Sequence, residues 1–236
     1  MDDEILNYIK PKLTADQFSK FLYVFEHGKR IRPRLMQQVC KYFGVPFHPL
    51  LAAASAIEIM HCASLMHDDV VDDEEDRRGK QPFFRKYGNH AAILFGDLFA
   101  ALSLDILFDE FHKDIHKSFI RTFRDLVEGQ LMEFETIKTL QDYYQYIDLK
   151  TSKLFLLATE VPYLYYKLPS SGLKEFGMLF GKAFQIQDDL ASSGKREHSI
   201  LNYMPSPQAQ KILNGILTDL KRMNLVEESF LAQTFQ

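Results

Sequence analysis

The sequence predicts an all-α protein, and two observations lead to that fold class. Glycine and proline number 11 and 9 among 236 residues, about 8% against about 12% in average proteins, which is low for a turn-dense β fold. Apolar residues also recur at three- and four-residue spacing along most of the chain. That spacing is the period of an amphipathic helix, so long helices are expected throughout.

The apolar pattern places the individual helices. The first helix covers residues 18–25, and the second begins near Pro33, a residue suited to a first helical turn, and ends at Gly44 and Pro46. Six further helices are predicted, at 49–71, 89–111, 114–135, 140–166, 171–191 and 206–223. Thr151 and Ser152 compete for backbone hydrogen bonds, so the sixth helix in the chain should break at 150–152. No repeat or linker separates these elements, and we expect one domain over residues 1–236.

Composition excludes several classes of function. With 28 basic and 32 acidic residues the net charge is −4, which gives no drive towards nucleic acid. The two cysteines, Cys40 and Cys62, are too few and too isolated for a disulfide framework or a zinc site, and we expect reduced core thiols. The chain starts with acidic residues and shows no apolar run near the ~20 residues that span a bilayer, so we expect a cytoplasmic protein without an integral membrane segment.

The strongest local signal is an acidic run at the end of the long apolar segment 49–71. Seven carboxylates fall within residues 68–76. On a helix, Asp68 and Asp72 stand one turn apart, about 6 Å along the axis, with Asp69 beside them, so they can share divalent cations. The macrodipole disfavours anions at a helix C-terminus by roughly 0.3–1 kcal/mol each, and something positive should compensate.

A charge run of this kind usually means a solvated helix end, and that alternative stays open at this point. Two features favour a functional site. The residues before Asp68 are apolar up to the carboxylates, which places the acids at the mouth of a core. Arg77, Arg78 and Lys80 follow at once, and guanidinium groups bind phosphate oxygens in a bidentate manner.

A second acid pair, Asp188 and Asp189, also ends an apolar helix. The acidic residues at these two helix ends would be explained if both ends face one cluster of metal ions with oxygen ligands. Mg²⁺ fits this donor set, because it takes a few carboxylates and completes its octahedron with water and substrate phosphates. We therefore expect Mg²⁺ to bind here together with a diphosphate substrate.

These motifs, in this order, resemble the trans-polyprenyl diphosphate synthases, the head-to-tail prenyltransferases of the isoprenoid synthase fold. The resemblance runs from Gly28 to Asp189. It implies a single-domain helical bundle with a central apolar cavity, a homodimer, and two substrates, isopentenyl diphosphate and an allylic prenyl diphosphate.

The resemblance also assigns roles to individual residues. Asp68, Asp69 and Asp72 fall on the first aspartate-rich motif, and Asp188 with Asp189 opens the second; these five are the implied metal ligands. The isopentenyl diphosphate contacts are Gly28, Lys29, Arg32, His61 and Arg78. The implied allylic diphosphate contacts are Arg77, Lys150 and Thr151, and Gln185 is implied to line the reaction centre. The implied catalytic residues are Lys150, Thr151 and Gln185, and the resemblance implies up to three Mg²⁺ ions bound with the diphosphate substrate.

The sequence departs from the family pattern after the second motif. Ser192 stands where a third aspartate is usual, and the lysine-bearing loop that follows is compressed around Lys195. These departures favour one alternative, a non-catalytic or weakly active subunit of a heteromeric synthase. A terpene cyclase is a weaker alternative, because Arg196 replaces the glutamate of the cyclase motif and the basic loop at Lys29 implies a second diphosphate.

Product length is also readable from the resemblance, because the chain grows below the first motif and a bulky residue there acts as a floor. Ala63 and Ser64, five and four residues before Asp68, are both small. We therefore expect products longer than fifteen carbons.

Overall fold

The computed structural model describes residues 1–134, 137–169, 172–192 and 198–235, and regular structure within these ranges is helical. The helices are α1 (Asp2–Ile9), α2 (Ala15–Phe25), α3 (Ile31–Tyr42), α4 (Leu51–Val71), α5 (Phe83–Tyr87), α6 (Asn89–Glu110), α7 (Lys113–Leu131), α8 (Leu140–Ile147), α9 (Lys153–Tyr166), α10 (Leu173–Ala191), α11 (Ser206–Met223) and α12 (Glu228–Thr234). A π-helix, Asp148–Ser152, joins α8 to α9. The all-α prediction is confirmed.

Two differences from the predicted helices have clear causes. The expected break at 150–152 falls within a π-helix, Asp148–Ser152, in which each hydrogen-bonded turn contains one residue more than in an α-helix. Three short helices, α1, α5 and α12, were not predicted. In α1 the acidic residues Asp2, Asp3 and Glu4 occupy the first turn, where negative charge interacts favourably with the helix dipole.

The chain folds as two compact units. The first unit comprises residues 1–34 and 48–116, and the second comprises residues 35–47 and 117 onward. The expectation of one domain over residues 1–236 stays a prediction.

Helix α4 is the core of the first unit. Residues 52–60 are all buried, so the helix is covered on every face rather than on one stripe. It packs along α6 and also contacts α1, α2 and α5. Because α4 is enclosed in this way, its C-terminal end carries the acidic run at the edge of an apolar core, as the sequence predicted.

Two segments, His48–Val71 and Asn89–Glu110, are long and apolar enough to span a bilayer, with mean hydropathies of 1.4 and 2.0. The prediction that no apolar run approaches about 20 residues was therefore wrong. The protein buries 72% of the apolar window in His48–Val71 and 39% of the one in Asn89–Glu110. Core helices meet the same criteria, so the absence of an integral membrane segment stays a prediction.

In the second unit, α10 packs against α9, α11 and the π-helix. An aromatic cluster fills this core: the ring of Phe155 lies 5.2 Å from the rings of both Phe180 and Phe184. Such pairs add about 0.5–1.5 kcal/mol each beyond the area they bury. The cluster holds α10 and α9 together, and its member Phe184 directly precedes Gln185, a candidate site residue of this unit.

Glycines bring the π-helix close to its neighbours. A Cβ atom at Gly181 of α10 would lie 2.3 Å from Ser152 Cα, and one at Gly129 of α7 would lie 2.7 Å from Lys150 N. Both obstructing atoms belong to the backbone and cannot move aside alone. The π-helix therefore depends on two glycines for its close packing.

We predict that Gly181→Ala lowers the free energy of unfolding by about 1–3 kcal/mol, because the added methyl group forces α10 away from the π-helix. Urea denaturation of the purified protein measures this. The matched control is Gly215→Ala in α11, where a Cβ atom meets nothing within 4 Å. This change should stabilise the protein by up to about 1 kcal/mol through helix propensity. Equal effects of the two substitutions would contradict the close packing.

Candidate active site

The first aspartate-rich motif lies at the C-terminal end of α4. Asp69 is 3% exposed, and its Oδ1 accepts a hydrogen bond of 2.7 Å from Arg77 Nε as well as an ion pair from Arg77 Nη2. Arg77 Nη2 also lies 3.4 Å from Glu74 Oε2. Burial raises the pKa of Asp69, and the guanidinium of Arg77 opposes that rise. Arg77 is thus the positive group that the sequence required at this helix end.

The remaining acids of the run diverge after α4 ends. Asp72 is exposed and caps the helix, whereas Asp73, at φ +47°, pairs with Arg85 Nη2 at 2.8 Å. Asp76 Oδ1 accepts a 2.9 Å hydrogen bond from the Gly79 N–H, which closes the turn carrying Arg77 and Arg78. The run is therefore divided: its first members stay on α4, and its later members build the basic turn.

A cluster of arginines lies beside α4 in the same unit. A Cβ atom at Gly28 would lie 1.9 Å from Arg30 Nη1 and 2.7 Å from Arg78 Nη1, so both guanidinium groups pack directly over this glycine. Arg30 and Arg78 adopt φ values of +50° and +60°, which non-glycine residues rarely do. The basic loop and the basic turn are thereby brought together at one point.

One buried carboxylate faces these arginines. Glu58, 2% exposed, lies with Oε1 3.4 Å from Arg30 Nη1. Its Oε2 has no hydrogen-bond partner among the described residues. Burial raises the pKa of Glu58, while Arg30, Arg32 and Arg78 lower it. Burial likewise lowers the pKa of Arg32 to about 10. Three guanidinium groups around one carboxylate leave an excess of positive charge, which is the arrangement that an anion requires.

His61, one turn after Glu58 on α4, belongs to the same cluster. Its pKa lies well below the ordinary value, first because of burial and then because of the nearby Arg32 and Arg78. The imidazole is therefore neutral near pH 7 and can offer one N–H donor to an anion. Lys29 lies on the exposed part of the same loop. All five residues that the resemblance assigns to isopentenyl diphosphate thus belong to the first unit.

The second aspartate-rich motif lies at the end of α10 in the second unit. Asp189 is fully buried. Its Oδ2 accepts hydrogen bonds of 2.8 Å from Tyr143 OH and from the Ile200 N–H, and its Oδ1 accepts one of 2.9 Å from Gln185 Nε2. Gln185 Oε1 in turn accepts a 2.8 Å bond from Thr151 Oγ1. The structure therefore joins Thr151, Gln185 and Asp189, all predicted from sequence, into one hydrogen-bonded chain.

Ser192 ends this helix without replacing the missing aspartate. Its Oγ donates a 2.9 Å hydrogen bond to the backbone carbonyl of Asp189. Lys195 and Arg196, which the sequence analysis discussed next, lie outside the described residues.

Lys150 lies in the π-helix, and its side chain forms an ion pair with Glu133. The Lys150 ammonium pairs with Glu133 Oε1, which also accepts a hydrogen bond from Tyr146 OH, while Gln130 donates to Glu133 Oε2. Sequence reasoning did not identify Glu133, Glu58 or Tyr143. The signal for Glu58 was a single acid within an otherwise apolar helix, since a charge in such a place needs a partner.

Within the described ranges, no three His, Cys, Asp or Glu side chains converge into a ready-made metal site. The donor set nevertheless fits Mg²⁺, because the candidate ligands are all carboxylates and Asp68 and Asp72 lie one turn apart. The assignment of Asp68, Asp69, Asp72, Asp188 and Asp189 as metal ligands stays a prediction.

Comparison with known proteins gives consistent matches. The polyprenyl synthetase family model matches residues 18–200. The geranylgeranyl diphosphate synthase of Methanosarcina mazei is 31% identical over 200 residues, 80% of this chain and 61% of that enzyme. The all-trans-nonaprenyl-diphosphate synthase (geranyl-diphosphate specific) of Rhodobacter capsulatus is 36% identical over 172 residues, 69% of this chain and 52% of that enzyme. The chain therefore spans just over half the length of these relatives.

Among solved structures, an isoprenoid synthase family member from Thermotoga neapolitana superimposes with a TM-score of 0.86 at 28% identity, over 99% of this chain and 95% of that one. This match confirms the isoprenoid synthase fold. The central apolar cavity that the sequence analysis expected stays a prediction.

The neutral state of His61 gives a pH-dependent stability. Because the folded-state pKa lies below the unfolded value near 6.5, the unfolded chain binds more protons as pH falls, and stability is lost on acidification. Between about pH 7.5 and pH 5.5, the wild type should lose about 1 kcal/mol more unfolding free energy than His61→Gln. Denaturant titrations at both pH values measure this difference. The control is His90→Gln at an exposed position, which should lose as much unfolding free energy between the two pH values as the wild type. If His61→Gln also loses as much as the wild type, the burial of a neutral imidazole is contradicted.

Proposed function

Because the chain belongs to the polyprenyl synthetase family, we propose that it is a Mg²⁺-dependent, chain-elongating prenyltransferase. It condenses isopentenyl diphosphate with an allylic prenyl diphosphate to give a longer all-trans polyprenyl diphosphate and inorganic diphosphate. One observation carries this proposal: the guanidinium groups of Arg30 and Arg78 meet over Gly28, with Arg32 and neutral His61 beside them and a single buried carboxylate for balance. Such an excess of positive charge favours a bound diphosphate.

The basic cluster would bind isopentenyl diphosphate. Lys29, Arg32, His61 and Arg78 would donate to its phosphate oxygens, and Gly28, which has no side chain, leaves room for the guanidinium groups of Arg30 and Arg78. Arg30 and Glu58 balance charge behind these donors, since both are more than 95% buried. The two substrates need separate sites, so this cluster also argues against a cyclase, which uses one diphosphate.

The allylic diphosphate would be held by Arg77, Lys150 and Thr151, and Gln185 would line the reaction centre. Mg²⁺, when bound by Asp68, Asp69, Asp72, Asp188 and Asp189, neutralises the charge that develops on the leaving diphosphate. The family resemblance implies that both aspartate-rich motifs take part in this step.

The chemistry needs no protein nucleophile. The allylic C–O bond breaks, its electron pair leaves with the diphosphate, and an allylic carbocation remains. The double bond of isopentenyl diphosphate attacks that cation and forms the new C–C bond. Loss of one proton to the released diphosphate then restores a double bond. The residues of the chain bind and orient the two diphosphates and stabilise the developing charge by preorganised donors.

Exposed apolar side chains support the homodimer that the family resemblance implies. In the first unit, α6 exposes Ile93, Leu94 and Phe108; in the second unit, Val127 and Leu131 of α7 are exposed. A second copy of the chain is the proposed occupant of these faces. Sedimentation of the active protein as a monomer would contradict this assembly. We also keep the cytoplasmic location as part of the proposal.

The test incubates the purified chain with Mg²⁺, isopentenyl diphosphate and farnesyl diphosphate. Diphosphate release should require both substrates and stop on addition of EDTA. Asp68→Asn should lower kcat by roughly 100-fold, because transition-state charge loses a preorganised partner. Glu75→Gln is the control, since Glu75 is an exposed acid of the same run without a proposed ligand role. If Asp68→Asn has the kcat of the wild type, the assignment of Asp68 as a metal ligand is overturned.

Two other results of this assay identify other functions. Release from farnesyl diphosphate alone indicates a cyclase or hydrolase. No release from the chain alone, restored by a second synthase subunit, indicates an accessory subunit. The observation that favours this second candidate is Ser192, whose hydroxyl binds the α10 backbone at the place of the third aspartate.

The small side chain of Ala63 on α4 is the basis of the proposed product length. Ala63 is 1% exposed, and α4 packs along α6 in the first unit. The products should exceed fifteen carbons, and the geranylgeranyl and nonaprenyl names of the two relatives support this proposal.

Replacing Ala63 with Phe should place a ring in the path of the growing chain and shorten the main product by at least one isoprene unit, as chromatography of the dephosphorylated products would show. Ser64→Phe provides a second variant at a half-buried position, in case overpacking at Ala63 prevents folding. Ala232→Phe, exposed on α12, is the control and should leave the product unchanged. Unchanged products from folded Ala63→Phe and Ser64→Phe would remove the floor hypothesis.

A further inference from the structure

The Glu133 carboxylate accepts hydrogen bonds from three different side chains. Lys150 Nζ and Tyr146 OH both bind Glu133 Oε1, and Gln130 Nε2 binds Glu133 Oε2. The Glu133 and Lys150 side chains are only 13% and 20% exposed. A solvent-exposed ion pair contributes little, but a pair that is mostly removed from water is fixed in geometry and depends on having both partners.

The backbone of Lys150 is fixed as closely as its side chain. Lys150 lies in the π-helix, and Gly129 of α7 packs against its backbone nitrogen, where an added Cβ atom would lie at 2.7 Å. The Tyr146 ring centroid lies 5.5 Å from Lys150 Nζ, within cation–π range. A lysine has several rotatable bonds and ordinarily samples many positions, so these contacts together select one of them.

The aromatic ring also connects this group to the segment after α10. The rings of Tyr146 and His198 lie 5.8 Å apart. Glu133 therefore belongs to the same side of the second unit as the carboxyl end of α10, where Asp189 is anchored to Ile200.

We propose that Glu133 is a positioning residue for Lys150. This inference rests on the proposed function, in which Lys150 binds the allylic diphosphate. An ammonium group has three N–H donors. Glu133 accepts one of them and fixes the direction of the ammonium group, so that the other two are available to phosphate oxygens. Glu133 itself touches neither substrate; it acts through Lys150.

This role predicts a specific kinetic pattern. Glu133→Gln keeps the size of the side chain but removes its charge, and it should lower kcat about 10- to 100-fold. The KM for isopentenyl diphosphate should stay within about twofold, because that substrate binds the arginine cluster instead. Glu133→Asp retains the charge on a shorter side chain and should restore a substantial part of the rate. Glu128→Gln, an exposed acid of α7, is the matched control and should behave as the wild type.

The decisive measurement is a double-mutant cycle with Lys150→Met. If Glu133 acts only through Lys150, Glu133→Gln should change kcat by less than about threefold once the ammonium is gone. A purely structural role would lower the rate by the same factor in both backgrounds. Tyr146→Phe, which removes one donor to Glu133, is a milder second variant and should lower kcat about threefold if Glu133→Gln does not fold.

The outcomes separate this inference from the proposed function. An inactive wild type overturns the proposed function and, with it, the role of Glu133. An active wild type whose Glu133→Gln variant turns over at the same rate overturns the inference alone. Equal loss in the wild-type and Lys150→Met backgrounds also overturns it, whereas loss confined to the wild-type background supports it.

Discussion

Charge at the carboxyl end of a buried helix is the constraint on which the candidate site residues of each unit depend. The helix dipole and the apolar surroundings each disfavour an anion there. The protein compensates differently in the two units. At the end of α4, Arg77 brings a guanidinium group to Asp69. At the end of α10, neutral donors surround Asp189 and include a backbone N–H from Ile200. The acids are thus held in place before any substrate or metal arrives.

The long helices could be predicted from the sequence because their signals are local. The apolar segment 49–71 is uninterrupted, and α4 ends at Val71 as expected. Helices α5 and α12 have 5 and 7 residues, too few for a period to be recognised. The π-helix was located through Thr151 and Ser152, but its type depends on the approach of Gly129 and Gly181 from other helices, which no local pattern records.

The candidate site residues also divide into those with a local sequence signal and those that depend on contacts made by the fold. Residues within motifs, such as Lys29, Asp68 and Gln185, could be proposed from the sequence because those motifs resemble the family pattern. Glu58 and Glu133 were not, because each is a single acid whose meaning comes from arginines or a lysine brought to it by the fold. The pairing of Asp69 with Arg77 lies between these cases: the need for a positive group was predicted from the helix dipole, and the structure identifies which arginine supplies it.

The bond from the Ile200 N–H to Asp189, together with the bond from Ser192 Oγ to the Asp189 carbonyl, fixes the chain on both sides of residues 193–197. Asp189 is thus the residue at which the end of α10 and the segment that begins at Ile200 are joined. A proline at position 200 has no N–H, so it would leave Asp189 Oδ2 with one donor fewer. Loss of a partner at a buried acceptor costs about 1–3 kcal/mol, so the backbone of a residue outside the aspartate-rich motif contributes to holding that motif in place.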